Sequence, residues 1–219
     1  MLSGIANNKS WWVNAFYLLA LLYFSYLMLL ITLQYIPFKQ DAAFLRTKFD
    51  VVHLQHYRIA FIAHVYTSFW VLLAGAFQFS KYLRKHYSAI HRNIGKLYIL
   101  IILTLAGPGG LIMGYYANGG PIAQVSFCLL SVLWWYFTFK AYQTARHKQW
   151  HLHRAFMYRS YALTLSAISL RVFKLVFVAL FHPNPMDVYV LVAWLGWVVN
   201  LGIAEFLIYR LRVKRIGIA

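Results

Sequence analysis

The stretch GKLYILIILTLAGPGGLIMGYYA, from Gly95 to Ala117, carries a single charged side chain, that of Lys96. It is long enough to cross a bilayer, because a transmembrane helix needs about 20 mostly apolar residues. The run Gly107 to Gly110 inside it contains Pro108 and predicts a kink or a loosened turn. Further stretches that meet the same requirement lie at residues 13–36, 57–79, 122–141, 156–181 and 188–209. The sequence therefore predicts an all-α integral membrane protein, a bundle of six transmembrane helices forming one domain over residues 1–219.

The composition agrees with a membrane location. Apolar residues make up 62% of the chain and charged residues only 11%, whereas a soluble domain needs about 25% charged residues. The first apolar stretch is longer than the apolar region of a signal peptide and has no cleavage site behind it, so we expect it to be retained as an anchor. The single cysteine, Cys128, excludes a disulfide framework and a cysteine-based metal site.

The basic residues are distributed unevenly along the chain. The formal charge of +17 is compatible with nucleic-acid binding, but the lysines and arginines lie between the apolar stretches, where they act as topology signals. With a cytoplasmic N-terminus, fifteen of them fall on the inner side and four on the outer side. The positive-inside rule then predicts a protein of the inner (cytoplasmic) membrane with both termini cytoplasmic. Its basic loops are expected to contact anionic lipid head groups, and no nucleic-acid partner is expected.

Polar and small residues recur at helical spacing on one face of three of the predicted helices. They are His64, Ser68, Gly75 and Gln78 in the second stretch, His91, Gly95, Tyr98 and Gly109 in the third, and His153, Met157, Ser160, Thr164, Ala167, Arg171 and Lys174 in the fifth. The pattern predicts that these helices surround one internal polar site, to which His64, Gln78, Tyr98, Arg171 and Lys174 contribute. The aromatic fourth helix is expected at the periphery.

Two interpretations of these stripes remain open at this stage. Serine, threonine and glycine on such a face often serve only to let helices pack closely. Close helix packing does not account for Arg171, because placing an arginine in the middle of a membrane costs about 2.5–3.5 kcal/mol. We expect it to meet an external anion, such as a cofactor propionate, a lipid phosphate or a substrate carboxylate. Lys174 lies nearer the outer end and can extend toward water. Glu205 is expected to pair with Arg159 or Arg210.

Histidines at the inner boundary suggest a cofactor site. His91 opens the third predicted helix and His153 precedes the fifth, so both are expected to converge and to ligate a b-type haem iron or a transition metal. Arg92 and Arg154, each one residue later, would reach haem propionates. No helix carries two histidines about fourteen residues apart, which excludes two stacked haems. The competing interpretation is that both His-Arg pairs contact lipid head groups.

Several short motifs occur together in a characteristic order. They are His64 with Gly75 and Gln78, then HRNIGKLY at residues 91–98, then HRAFMYR at residues 153–159, then Arg171. In this order the chain resembles the predicted bacterial membrane proteins catalogued as domain of unknown function 2306, over about residues 64–171. The resemblance implies no established activity. The residues that match the family pattern are His64, His91, Arg92, Gly95, Tyr98, His153, Arg154, Met157, Arg159 and Arg171. A likeness to small b-type cytochromes is weaker, because their paired histidine spacing is absent.

Three functions are compatible with the sequence. The first is a redox protein that holds one haem or metal at the inner end of the polar seam and exchanges electrons with quinone. The second is a carrier or sensor for a small anionic or amphipathic molecule, with Arg171 as the binding cation. The third is a noncatalytic membrane subunit whose polar residues serve packing and partner contact.

Overall fold

The computed structural model describes residues 3–216, which contain helices and turns and no strand. The helices are α1 (Ser3–Leu33), α2 (Gln55–Gln78), α3 (Lys81–His86), α4 (Ser88–Ile101), α5 (Gly107–Tyr115), α6 (Gly120–Arg146), α7 (Trp150–Thr164), α8 (Ser166–Phe181) and α9 (Pro185–Ile216). A 3-10 helix, Ala43–Lys48, lies between α1 and α2, and a π-helical turn, Ile102–Ala106, joins α4 to α5. The all-α prediction is confirmed for the described residues.

Most of the predicted membrane spans are present in the described part of the chain. Four segments are long and apolar enough to cross a membrane, namely Gln55–Gln78, Ser88–Tyr115, Gly120–Arg146 and Pro185–Val213. Helices α7 and α8 meet at an angle of 42° and together make a fifth candidate span. The apolar part of α1, Leu18–Leu33, is shorter than a span by itself. The structure thus supports four or five of the six predicted spans.

The two ends of the bundle differ in chemistry. One end carries α3, the connection between α6 and α7 at residues 147–149, and the C-terminal turns of α9; we call it the basic end. The opposite end carries the segment 34–54 and the turns at residues 116–119 and 182–184. Three of the four acidic side chains of the protein, Asp41, Asp50 and Asp187, lie toward this opposite end.

Helix α6, the predicted fourth span, packs one face against the core and leaves the other exposed, so the prediction of a more peripheral position holds for its exposed face only. It packs against α5, α7 and α9. One of its faces is lined by small side chains, including the fully buried Ser126, Thr138 and Ala141, which let the neighbouring helices approach closely. Trp134, on the same face, is only 6% exposed, whereas the adjacent Trp135 is 43% exposed. The aromatic residues of this helix are therefore divided between the core and the lipid-facing side.

The predicted loosening of the third span at residues 107–110 is observed as a π-helical turn, which directly precedes this glycine-proline run. Pro108 has no N–H to donate, and the turn replaces the ordinary helical pattern with a bond from the Gly107 N–H to the Ile102 carbonyl. The Leu103 carbonyl lies five residues before Pro108 and accepts a hydrogen bond from the Trp135 indole at 3.1 Å. A side chain of α6 thus satisfies a backbone group next to the proline, as a membrane interior requires.

The fifth predicted helix is broken, so the prediction of one continuous polar stripe along it is wrong. Thr164 Oγ1 donates to the Ser160 carbonyl at 3.1 Å and Ser166 Oγ donates to the Leu163 carbonyl at 2.6 Å, on either side of Leu165. Hydroxyl groups that bond back to the preceding turn compete with the backbone and bend helices. The stripe residues before the break face the core, and those after it, from Ala167 onward, lie on the more exposed α8.

A folded segment covers the opposite end of the bundle. Tyr35, Leu45 and Val52 from residues 34–54 pack with Phe61 of α2 in an apolar cluster. The segment 34–54 is called the cap. Lys48 is buried in this cap and its ammonium group donates to the Tyr116 carbonyl, at the C-terminal end of α5, and to the side-chain oxygen of Asn118. A cation at a helix C-terminus is favourable, but burial lowers the pKa of Lys48 to about 8.

Helices α2 and α7 are in close contact at Gly75. A Cβ atom at this position would lie 2.4 Å from Cδ2 of Tyr161 and 2.9 Å from Cε2 of Tyr98. Neither ring is free to move aside, because the Tyr161 hydroxyl donates to the Leu72 carbonyl at 3.2 Å and Tyr98 is fully buried. Only glycine is compatible with this helix contact.

We predict that Gly75→Ala destabilises the protein, because the added methyl group overpacks the contact at a cost of about 1–3 kcal/mol. Replacing glycine by alanine in a helix also gains about 1 kcal/mol in helix propensity. We expect the overpacking cost to exceed this gain, because neither tyrosine ring is free to move aside. Gly202→Ala in α9 is the matched control, since nothing lies within 4 Å of its Cβ position. Thermal unfolding in detergent should show a lower Tm for Gly75→Ala and an equal or higher Tm for Gly202→Ala. A Gly75→Ala variant as stable as Gly202→Ala would contradict the described packing.

Candidate functional site

A cluster of hydrogen-bonded side chains lies where α4, α6 and α7 meet. The Tyr98 hydroxyl lies 2.8 Å from Ser160 Oγ and 3.0 Å from Thr164 Oγ1. The Trp134 indole donates to Thr164 Oγ1 at 3.0 Å, and Thr138 Oγ1 lies 2.7 Å from Ser160 Oγ. These five buried residues are called the central cluster. Because buried hydroxyl groups need partners, the cluster fixes how the three helices are rotated and shifted relative to one another.

The central cluster places two histidines at the same depth. His91 precedes Tyr98 by seven residues in α4, and His153 precedes Ser160 by seven residues in α7. Seven residues are about two helical turns, or about 10.5 Å, so both histidines lie two turns from the cluster toward the basic end. The two side chains are close enough for their charges to interact. Their predicted convergence is thus compatible with the register of the helices that carry them.

The two imidazoles differ in how they are held. His153 Nδ1 lies 2.8 Å from the Ala141 carbonyl of α6, which fixes the ring and leaves Nε2 for another partner. A carbonyl bonded to one ring nitrogen is the usual support for a histidine whose other nitrogen binds a metal. His91 Nδ1 is buried and has no hydrogen-bond partner among the described residues. A buried polar atom without a partner is uncommon and indicates that something else satisfies it.

Gln78 lies near His91. It ends α2, which packs against both α4 and α7, and its Oε1 lies 2.9 Å from the position of a Cβ atom on Gly95, one turn after His91. Its Nε2 atom is buried and, like His91 Nδ1, has no partner in the described structure. Gln78 thus lies about one helical turn from His91, and each of the two residues has an unsatisfied nitrogen atom; we group them with His153, whose charge is close enough to interact with that of His91. These three residues are called the histidine site.

The arginines next to the two histidines are on the surface. Arg92 and Arg154 are both exposed at the basic end. Arg92 is close enough to His91 for their charges to interact, as is Arg84 of α3. Arg154 lines a cleft between α7 and α9 together with Arg212. No group of three or more His, Cys, Asp or Glu side chains converges anywhere in residues 3–216. A bare metal ion held by three such side chains is therefore not supported.

His64 lies apart from the histidine site, in the half of α2 nearer the opposite end. Its Nδ1 lies 2.7 Å from the Ala106 carbonyl of the π-helical turn, and its ring meets Trp134 edge to face at 6.4 Å. It also packs against Gly110 of α5. His64 is therefore a link between α2, α5 and α6.

Arg171 and Lys174 lie on α8, outside the central cluster. Both are exposed, and α8 packs mainly against α9. Within the described residues, the one hydrogen bond that the Arg171 guanidinium makes is to the Ala167 carbonyl of its own helix, at 2.6 Å. The residues predicted to share one internal site are thus divided among four places along the bundle.

The intramembrane acid has the partner expected for it. Glu205 accepts two hydrogen bonds from Arg159, at 2.5 and 2.8 Å, and the Arg159 guanidinium also lies over the ring of Phe156 at 5.3 Å. The predicted ion pair is confirmed. The sequence analysis did not single out Trp134 and Thr138 as members of the central cluster. The signal was the spacing of four residues between them, which places them on one helical face with Ser131 and Ala141.

The fold defines the class of protein: a multi-pass membrane protein built from a helical bundle. A family model described as "Predicted membrane protein (DUF2306)" matches residues 61–208, about two thirds of the chain, and the chain belongs to this family. The match extends from α2 into α9, so the resemblance noted over residues 64–171 was too short at its C-terminal end. Comparisons with curated proteins and with solved structures each found no match.

Proposed function

We propose that the histidine site binds one b-type haem and that the protein is a redox protein of the membrane, exchanging electrons with quinone. The observation that carries the proposal is a pair of imidazoles, one of which is held by a backbone carbonyl while the other has a buried nitrogen without a hydrogen-bond partner. His153 keeps Nε2 free because Ala141 holds its Nδ1, and His91 has a buried Nδ1 with no partner. Either ring nitrogen of a neutral imidazole can be an iron ligand.

The number of available ligands favours haem over a bare metal ion. A haem iron needs no more than two ligands from the protein, and His91 and His153 would hold it. A structural or catalytic zinc needs three or four protein ligands, and the described residues offer no such group. Helix α2 packs against both α4 and α7, so its C-terminal end with Gln78 would bound the same site.

Each residue of the site has a distinct role in this proposal. The Ala141 carbonyl would orient His153 and raise its basicity as a ligand. Arg92, exposed at the basic end beside His91, would meet a propionate, whereas Arg154 lines the cleft between α7 and α9. A bound haem would supply one-electron transfer, and quinone would arrive from the bilayer.

A second candidate function is a carrier or sensor for an anionic amphipathic molecule. It rests on Arg171, whose guanidinium has one hydrogen bond within the described residues although it lies in the middle of a candidate span. An arginine at this depth is favourable only with water or an anion. This site and the histidine site lie in different halves of the bundle, so haem content tests the first candidate without depending on the second.

We predict that the detergent-purified protein from haem-replete cells contains about one haem per chain and shows a sharp reduced haem band. His91→Ala and His153→Ala should each lose most of this absorbance, because one axial ligand disappears. His86→Ala is the matched control, since His86 is exposed at the same end and lies 3.2 Å from the Tyr82 carbonyl. A colourless wild-type protein would overturn the redox proposal and leave the carrier or a noncatalytic subunit.

We also propose that α1 completes a sixth span in an inner membrane, with both termini and the basic end on the cytoplasmic side. The support is the excess of lysine and arginine at that end. In a Cys128→Ser background, a cysteine introduced at the exposed Ser88 should react with a membrane-impermeant maleimide only from the cytoplasmic side. Reaction from the periplasmic side alone would reverse the proposed orientation.

A further inference from the structure

A cleft of about 420 Å³ opens between the first turns of α7 and the last turns of α9. Its basic lining consists of Lys148, His151, Arg154 and Arg212. All four side chains are exposed, so they face water or a ligand rather than the core. The cleft lies at the basic end of the bundle, at the level where a membrane protein meets lipid head groups.

No side-chain carboxylate of the described residues neutralises these charges. The protein has four acidic residues, and three of them lie toward the opposite end. The fourth, Glu205, is bound by Arg159 and does not line the cleft. Three permanent cations that share one cleft repel each other, and an anion from outside the chain would relieve this repulsion.

The start of α7 adds a second, independent feature. Gln149, its N-cap residue, makes no side-chain capping hydrogen bond. The first N–H groups of a helix have no intrahelical partner and carry the positive end of the helix dipole. Trp150 N–H donates to the Lys148 carbonyl at 3.1 Å, whereas the N–H groups of His151 and Leu152, two residues of the cleft lining, have no partner among the described residues. Backbone donors and cationic side chains together are the usual means of binding a phosphate group.

The rest of the cleft is apolar and aromatic. Ala155 and Ile208 are buried in its floor, and Trp150 and Tyr158 line it. Trp150 is 63% exposed, as expected for a tryptophan that meets the membrane–water interface. The ligand that fits these features has an anionic head and an apolar tail.

We propose that this cleft binds the phosphate head group of one anionic phospholipid, whose acyl chains extend along α7 and α9. The proposal does not depend on the haem proposal. Lys148 and Arg212, which carry its test, were assigned no role at the histidine site.

The test is native mass spectrometry of the full-length protein in detergent, titrated with dioleoyl phosphatidylglycerol or with dioleoyl phosphatidylcholine. We expect one phosphatidylglycerol to bind more tightly than phosphatidylcholine. The Lys148→Gln/Arg212→Gln variant should bind phosphatidylglycerol about 25-fold more weakly, because each cation contributes about a factor of five to the binding of an anionic head group. The control Arg146→Gln/Arg210→Gln removes the same charge outside the cleft and should bind as the wild type does.

Three results would overturn the proposal. One is equal affinity of the wild type for the two lipids. Another is an equal loss in both double variants, which would show attraction to total charge only. The third is displacement of phosphatidylglycerol by millimolar inorganic phosphate, which would identify a site for a soluble anion. If the cleft variant fails to fold, the single variant Arg212→Gln and the lipid preference of the wild type decide the question.

Discussion

The structure depends on a tyrosine hydroxyl that must be hydrogen-bonded in the middle of the bundle. Tyr98 is fully buried, and its hydroxyl is shared by Ser160 and Thr164 of the facing helix. In a membrane interior no water is at hand to replace a lost partner, so rotating or sliding α4 against α7 would leave polar atoms unsatisfied. Trp134 and Thr138 of α6 are hydrogen-bonded to the same two residues, Thr164 and Ser160, so α6 is held against α7 in the same way.

This constraint determines where the histidine site lies. Because His91 and His153 each precede a member of the central cluster by seven residues, a shift of either helix by one turn would move one histidine by about 5.4 Å relative to the other. The close contact at Gly75 keeps α2 against the same cluster, and so positions Gln78, which ends that helix. Packing at the centre of the bundle therefore holds the site at its basic end.

The sequence predicted those features that follow from apolar length and from isolated charges. The long apolar runs predicted the four or five spans that the structure supports, the nearness of two arginines predicted that Glu205 pairs with Arg159 or Arg210, and the run around Pro108 predicted the loosened turn. The break at Leu165 was missed because helical spacing continues through it, while the bonds of Thr164 and Ser166 to backbone carbonyls have no periodic signal. The packed face of α6 was missed because the tryptophans dominate the composition of this helix, whereas its small residues decide which face packs.

The central claim is that the bond between Tyr98 and Ser160 couples α4 to α7, and a double-mutant cycle measures this coupling directly. The free energies of unfolding of Tyr98→Phe, Ser160→Ala and the double variant would be measured in mixed micelles by titration with denaturing detergent. The account predicts a coupling free energy of about 0.5–2 kcal/mol, the range of hydrogen bonds between membrane helices and of residues in contact. Additive effects of the two substitutions would show that the helices are held by packing alone, and would contradict the account.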